Sequence, residues 1–234
     1  TAPDNPYFTK AAVNRVWTHC FGRGLVEPVD DLSPANPASH PELLDELARE
    51  FVKSHFDLRH LLRGILLSKA YGVTSRRTHE SQDDPADFAR MSVKTLTAEQ
   101  LFDSIARASG VAPYGSRVSA YDSEAVRAEF LSRFASPERS VDAVTSIPQA
   151  LTRMNGKLTT LATDVSSSPL LLALRGAPFG DQERVEALFL ATLSRLPTSG
   201  ESRRLTDILG AGQPQKDADI LWVLLNSHEF STNH

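Results

Sequence analysis

The chain is predicted to be all-α: an irregular multi-helix domain with long loops and room for a minor short β-hairpin in the middle. Three observations predict this. Apolar residues recur at three- and four-residue spacing through most of the 234 residues. Helix-start signals precede nearly every such stretch. Strict alternation of apolar and polar residues, the mark of a half-buried strand, is rare.

The elements follow in order. Asn5-Pro6 opens the first helix, because Asn can cap and Pro fits the first turn, whose amide needs no partner. Phe8, Ala11, Ala12, Val16, Cys20 and Phe21 form its inward stripe, and Gly22 and Gly24 end it. Leu25-Val26 is a short extended piece, and Asp30 to Ala38, with Pro34 and Pro37, is loop. Ser39-His40-Pro41-Glu42 reads as a capping box before a helix that buries Leu43, Leu44, Leu47, Ala48, Phe51 and Val52. Asp57 caps a third helix with Leu58, Leu61, Leu62, Ile65, Leu66 and Tyr71 inward. The short connection at His55 implies that the last two helices form an antiparallel hairpin.

The stretch 74–93 is polar and carries a Pro, so it reads as a surface linker between an N-terminal helical part (1–73) and a C-terminal one (94–234) of a single domain. Thr97 and Gln100 frame a capping box before Leu101, Ile105 and Ala108, with Gly110 as the stop. Residues 111–121 are turn-rich, a helix is predicted from Ser123 to Phe134, and 136–147 leaves room for short strand pairing. One helix is predicted from Pro148 to Leu161, and a short apolar one from Ser168-Pro169 through Leu174. Asp181 is read as the cap of a helix with Val185, Leu188, Phe189 and Leu193 inward. Thr198 and Glu201 form a further box before Leu205, Ile208 and Leu209. Asp217 is read as the start of a terminal helix with Ile220, Leu221, Val223, Leu224 and Leu225 apolar.

Bulk properties exclude several roles. A net charge of −4 with both signs mixed along the chain argues against nucleic acid and anionic membrane surfaces, which need concentrated positive charge. No run approaches the ~20 apolar residues that span a bilayer. The start, TAPDNPYF, lacks a signal-peptide pattern and an initiator Met, so the chain reads as a piece of a longer one. The single cysteine, Cys20, is expected to be a small core residue, and it excludes both an intrachain disulfide and c-type haem attachment.

The chemistry-bearing residues concentrate near the N-terminus. Asn14, Arg15, Trp17, Arg23, Asp30 and Asp31 form the candidate polar cluster. It has two readings. Two carboxylates and two guanidiniums could line a pocket for a substrate or sugar. Alternatively, Arg forks pair with carboxylates and tie the turn to the helix, with Asn14 bonding loop backbone. The structural reading is preferred, because adjacent aspartates in an extended loop point in different directions and rarely act as a matched acid/base pair. The Gly22-Arg23-Gly24 turn follows a helix C-terminus, where the dipole disfavours phosphate, so it reads as a C-cap.

Other chemistries find little support. The seven histidines show no metal-binding spacing, so no metal is expected. No Gly-x-Ser-x-Gly elbow exists, and Ser166-Ser167-Ser168 reads as loop and cap. The helices at 40–72 carry Arg49, Lys53, Arg59, Arg63 and Lys69, but Glu42, Asp45, Glu46, Glu50 and Asp57 offset them as a DNA reader.

Several segments together resemble a family. They are Asn14-Arg15-Val16-Trp17, Phe21 through Val26, Asp30-Asp31, and Pro41 through Asp45. Further on come Leu96 through Leu101, Gln149-Ala150-Leu151 with Met154-Asn155-Gly156, Ala191 through Thr198, and Leu221 through Phe230. The chain resembles the planctomycete-type family of domains of unknown function numbered 1553 over essentially its whole length. The resemblance implies the C-terminal module of a large secreted or periplasmic protein with an upstream cytochrome-c-like module and a companion uncharacterised domain. It brings no activity and no catalytic residues.

The expectation is therefore a non-catalytic accessory or interaction module with no cofactor in this chain. Its partners would be other domains of the parent chain, a protein or a glycan, with neither nucleic acid nor membrane insertion. The alternative is part of an enzyme acting on polysaccharide, with Asp30 or Asp31 completed by a companion domain.

Overall fold

The computed structural model describes residues 5–111, 123–134, 147–209 and 213–233. The class is all-α. The chain divides into two compact units, one ending at Lys94 and the other beginning at Thr95.

The first unit is built on α1 (Pro6–Phe21), α2 (Pro41–Lys53) and α3 (Leu58–Leu66). Asn5 caps α1 through its side-chain oxygen, which accepts from the Tyr7 and Phe8 amides at 3.0 and 3.2 Å. Gly22 ends the helix at φ 81°, a conformation that suits a residue without Cβ. Asp57 caps α3, accepting from the Arg59 and His60 amides. The capping box read at Ser39–Glu42 does not form. His40 holds the cap position, and Ser39 is spent elsewhere: both its amide and its hydroxyl donate to the Leu25 carbonyl.

Val13, Trp17, Phe21, Leu25, Leu44, Phe51, Leu61 and Ile65 fill the core of this unit. Trp17 stacks on Phe21 at 4.1 Å between ring centroids, and the edge of Phe88 meets Trp17 at 5.3 Å. Phe88 and Met91 correct the reading of 74–93 as a surface linker. Phe88 packs against this core and Met91 is buried in it. Two 3₁₀ turns, Glu80–Gln82 and Pro85–Asp87, shape the segment. Arg77 holds it with a fork on Asp83 at 2.6 and 2.8 Å, and Arg90 donates to the Gln82 carbonyl. Cys20 is buried as expected, and burial pushes its thiol pKa up against the opposing pull of Lys94. The apolar stripe of the sequence is wider than the buried face: Phe8, Leu58 and Leu66 are exposed.

In the second unit, α4 (Ala98–Ser109) begins with the predicted reciprocal box of Thr97 and Gln100, at 3.0 and 3.2 Å, and stops at Gly110. α5 (Ser123–Phe134) follows. The helix expected from Pro148 to Leu161 is two helices, α6 (Ile147–Asn155) and α7 (Lys157–Thr163). Gly156 parts them with an extended backbone, its amide donating to the Thr152 carbonyl at 2.8 Å. A Cβ there would lie 2.3 Å from that carbonyl oxygen, which restricts the position to glycine.

α8 (Pro169–Gly176), α9 (Asp181–Leu193), α10 (Ser199–Leu209), α11 (Pro214–Leu225) and α12 (His228–Ser231) complete the unit. Gly180, not Asp181, is the cap of α9, its amide held by the Glu183 carboxylate at 2.7 Å. Ile105, Leu188, Phe189, Leu209, Leu221 and Leu225 form the centre of the core. Ile208 and Val223, part of the apolar pattern of the sequence, are exposed. Strand pairing among the described residues is confined to β1 (Lys94–Thr95) with β2 (Thr232–Asn233). Residues 112–121 and 136–146, predicted as turns and as room for strand pairing, lie outside the described residues.

Among the ion pairs of this unit, two systems tie α9 and the residues just after it to later helices. Arg184 on α9 meets Asp217 on α11, both buried. The second is Arg195, just after α9, which forks onto Glu229 of α12 at 2.6 and 2.7 Å and onto Glu201 of α10 at 2.9 and 3.0 Å. Its guanidinium also lies 5.2 Å from the Phe189 ring centroid. Hydrogen bonding by Arg195 lowers Glu201 from 4.5 to about 2. The folded value lies below the unfolded one, so this stabilisation is fully present above 4.5 and disappears as pH falls towards 2. In acid melts over that window, Glu201→Gln should flatten the fall in melting temperature relative to the unsubstituted chain. A parallel fall would show that Glu201 carries no such linkage.

Candidate functional site

The predicted polar cluster sits where α1 meets the loop that follows it. It separates into buried and exposed halves.

Asn14 is 0% exposed. Its side-chain amide donates to the carbonyls of Val26 and Val29 at 3.0 and 2.9 Å, and its oxygen accepts from the Val26 amide at 3.0 Å. One side chain thus supplies the backbone bonds that residues 26–29 would otherwise find in a strand. Gly24 passes so close that a Cβ would lie 2.5 Å from the Val26 carbonyl oxygen and 2.9 Å from the Asn14 oxygen. Its amide donates to Glu27 at 2.5 Å, just before the cis Glu27–Pro28 bond. Trp17 is buried in the aromatic core. The motif's Asn, Trp and second Gly are therefore packed inside.

The charged members lie outside. Arg15 contacts Asp30 through Nε at 2.9 Å and Nη2 at 2.8 Å, with both side chains about two-thirds exposed or more. Water screens such a pair, which contributes about 0.5 kcal/mol. Asp31 is exposed and accepts from the Ser33 amide at 3.3 Å, shaping its own turn. Arg23 is half-buried and forms no ion pair among the described residues. Arg15 and Asp30 are brought together, while Arg23 and Asp31 join neither them nor each other.

The later motifs likewise hold segments together. The Trp222 indole donates to the Met154 carbonyl at 2.9 Å, and Arg153 donates to the Asn226 carbonyl at 3.3 Å. Burial lowers the Arg153 pKa. Arg195, within the Ala191–Thr198 motif, reaches Glu229 in the C-terminal motif. Sequence reading recognised these segments but not their pairings, because partners 34 and 68–73 positions apart leave no local signal.

A shallow groove of about 560 Å³ between α9 and α10 was also not foreseen. Gln182, Glu186, Ser202, Arg203, Thr206 and Asp207 are among its lining residues, all of them polar. Polar faces of surface helices are common, so nothing in the sequence sets this one apart. No cluster of three or more His, Cys, Asp or Glu suited to a metal occurs among the described residues. No helix among them is long and apolar enough to cross a membrane.

Neither a curated protein nor a solved structure matches the chain. A family model, "PSD1: Protein of unknown function (DUF1553)", matches residues 1–141. That span is more than half of the 234 residues and includes the whole N-terminal motif of Asn14, Trp17, Gly24 and Asp30. The chain therefore belongs to the PSD1 family of proteins of unknown function, DUF1553.

Proposed function

We propose that this chain is a non-catalytic accessory module of a larger exported multidomain protein, with other domains of that protein or a separate protein as its partner. The observation that carries the reading is the commitment of Asn14. All three hydrogen bonds of its buried side chain go to the backbone of residues 26–29, so the most distinctive polar residue of the motif maintains the fold. The larger parent protein and a periplasmic or extracellular location come with the family resemblance of the sequence.

A second reading rests on Asp31. Its carboxylate is exposed and has no cationic partner among the described residues, so a companion domain could complete it as part of a site acting on polysaccharide. Glycoside hydrolysis takes two carboxyl groups about 5–10 Å apart across a cleft.

Asp30→Ala and Asp31→Ala separate the two readings. For the accessory module, each variant should shift stability by about 0.5 kcal/mol or less, because both carboxylates are exposed. Release of reducing sugar from polysaccharide by the parent protein, if any, should be unchanged. Sugar release abolished by Asp31→Ala without loss of fold would establish the second reading in place of the first.

A further inference from the structure

The outward side of α3 differs from the ordinary polar face of a surface helix. Leu61 and Ile65 are buried, and the opposite side shows Arg59, Arg63, Leu66 and Leu67 to solvent. Leu67 is 75% exposed and Leu66 43%.

Four of the five carboxylates of this region are engaged elsewhere. Glu46 pairs with Arg49, Glu50 with Lys53 and Asp45 with Lys10, at 2.5–2.6 Å, and Asp57 is occupied as the cap of α3. Arg59 and Arg63 form no ion pair among the described residues. None of the acidic residues that balance this region in the sequence, Glu42 included, is paired with Arg59 or Arg63 among the described residues.

Gly64 is the independent observation. It lies one helical turn from both His60 and Leu67, and a Cβ there would meet nothing within 4 Å. Glycine weakens a helix relative to alanine, and nothing among the described residues requires it here. A glycine beside the exposed Leu67 lets another backbone approach closely on that flank.

The geometry points to this side of α3 as the docking surface for an acidic amphipathic helix of another polypeptide segment. Its carboxylates would lie on Arg59 and Arg63 and its apolar stripe on Leu67, on the flank that Gly64 leaves open, with Leu66 at the other edge of the contact. This deepens the reading of the chain as an interaction module and rests on it.

The probe is a synthetic helical peptide with leucines at i, i+3, i+4 and i+7 flanked by glutamates, titrated against the whole chain by fluorescence anisotropy. A second peptide keeps the leucines and replaces glutamate by lysine. The acidic peptide should bind about tenfold more tightly than the basic one and weaken as salt rises. Arg59→Glu with Arg63→Glu should cost at least about tenfold in affinity. Gly64→Leu should weaken binding while the melting temperature holds or rises, which separates docking from folding.

Equal binding of the two peptides would overturn the proposal, as would binding that is insensitive to these variants or absent altogether. So would a chain that ignores both peptides but sediments with phosphatidylserine-containing vesicles through Arg59 and Arg63, because the occupant would then be a lipid surface. Any of these failures leaves the non-catalytic reading standing, because that reading is tested separately at Asp30 and Asp31.

Discussion

Asp217→Ala is expected to destabilise the second unit by about 3–5 kcal/mol, the usual cost of breaking a buried ion pair by removing one partner. The substitution leaves Arg184 buried among α9 and α11 without its main counter-charge. Asp181 cannot replace it, since it lies 3.7 Å from Arg184 and is itself a third exposed. Burial outweighs the pull of Arg184 and raises the Asp217 pKa above the ordinary carboxylate value. The sign of its linkage is thus opposite to that of Glu201. The folded state holds this proton more tightly than the unfolded state, so its contribution is fully present below 3.8 and is lost as pH rises through the raised value.

Replacing both partners, Arg184→Met with Asp217→Leu, should recover most of the loss, because well-packed apolar side chains avoid the desolvation penalty of the pair. Urea unfolding of the single and double variants checks both statements. A loss in Asp217→Ala below about 1 kcal/mol would mean that Arg184 finds water in the fold.

Asn14→Leu carries the second large effect. It removes two donors and one acceptor from a buried position and leaves the Val26 amide and the carbonyls of Val26 and Val29 unpaired. Each orphaned buried group costs about 1–3 kcal/mol, and partial relaxation of the loop brings the expected total to about 3–4 kcal/mol. Asn14→Asp should be no milder, because it turns acceptors towards two carbonyl oxygens. Gly24→Ala acts on the same loop by overpacking, at about 2 kcal/mol, because the Val26 carbonyl it meets is backbone and cannot swing aside. Circular dichroism melts would show the loss. A binding role for Asn14 predicts the reverse, a stable fold with a lost ligand.

Local signals made much of the fold legible. Asn5 and Asp57 cap where read, Thr97 with Gln100 and Thr198 with Glu201 form reciprocal boxes, and Gly22 and Gly110 stop their helices. The errors came where a tertiary partner outbid a local one. Ser39 would cap α2, but the Leu25 carbonyl takes it. Asp217 reads as a helix start, yet an arginine 33 positions away draws it into the core. Leu58 and Leu66 fit an apolar stripe, but only the part of it that faces α1 and α2 is buried.

The candidate cluster was legible as residues and not as an arrangement. Asn14 does bond loop backbone, one of the uses considered from sequence. Of the imagined forks, Arg15 takes Asp30 and Arg23 takes neither aspartate. Distances between side chains 12–15 positions apart depend on the loop's path, and the path is set by Gly24 and by the buried Asn14 itself.

The most direct measurement is native-state hydrogen exchange at the Val26 amide, which donates to Asn14 from a buried position. If Asn14 is a structural pin, this amide exchanges only through unfolding of the first unit, with the same free energy as the core amides of α1, and loses that protection in Asn14→Leu. Exchange at the rate of a solvent-exposed loop in the unsubstituted protein would contradict the account.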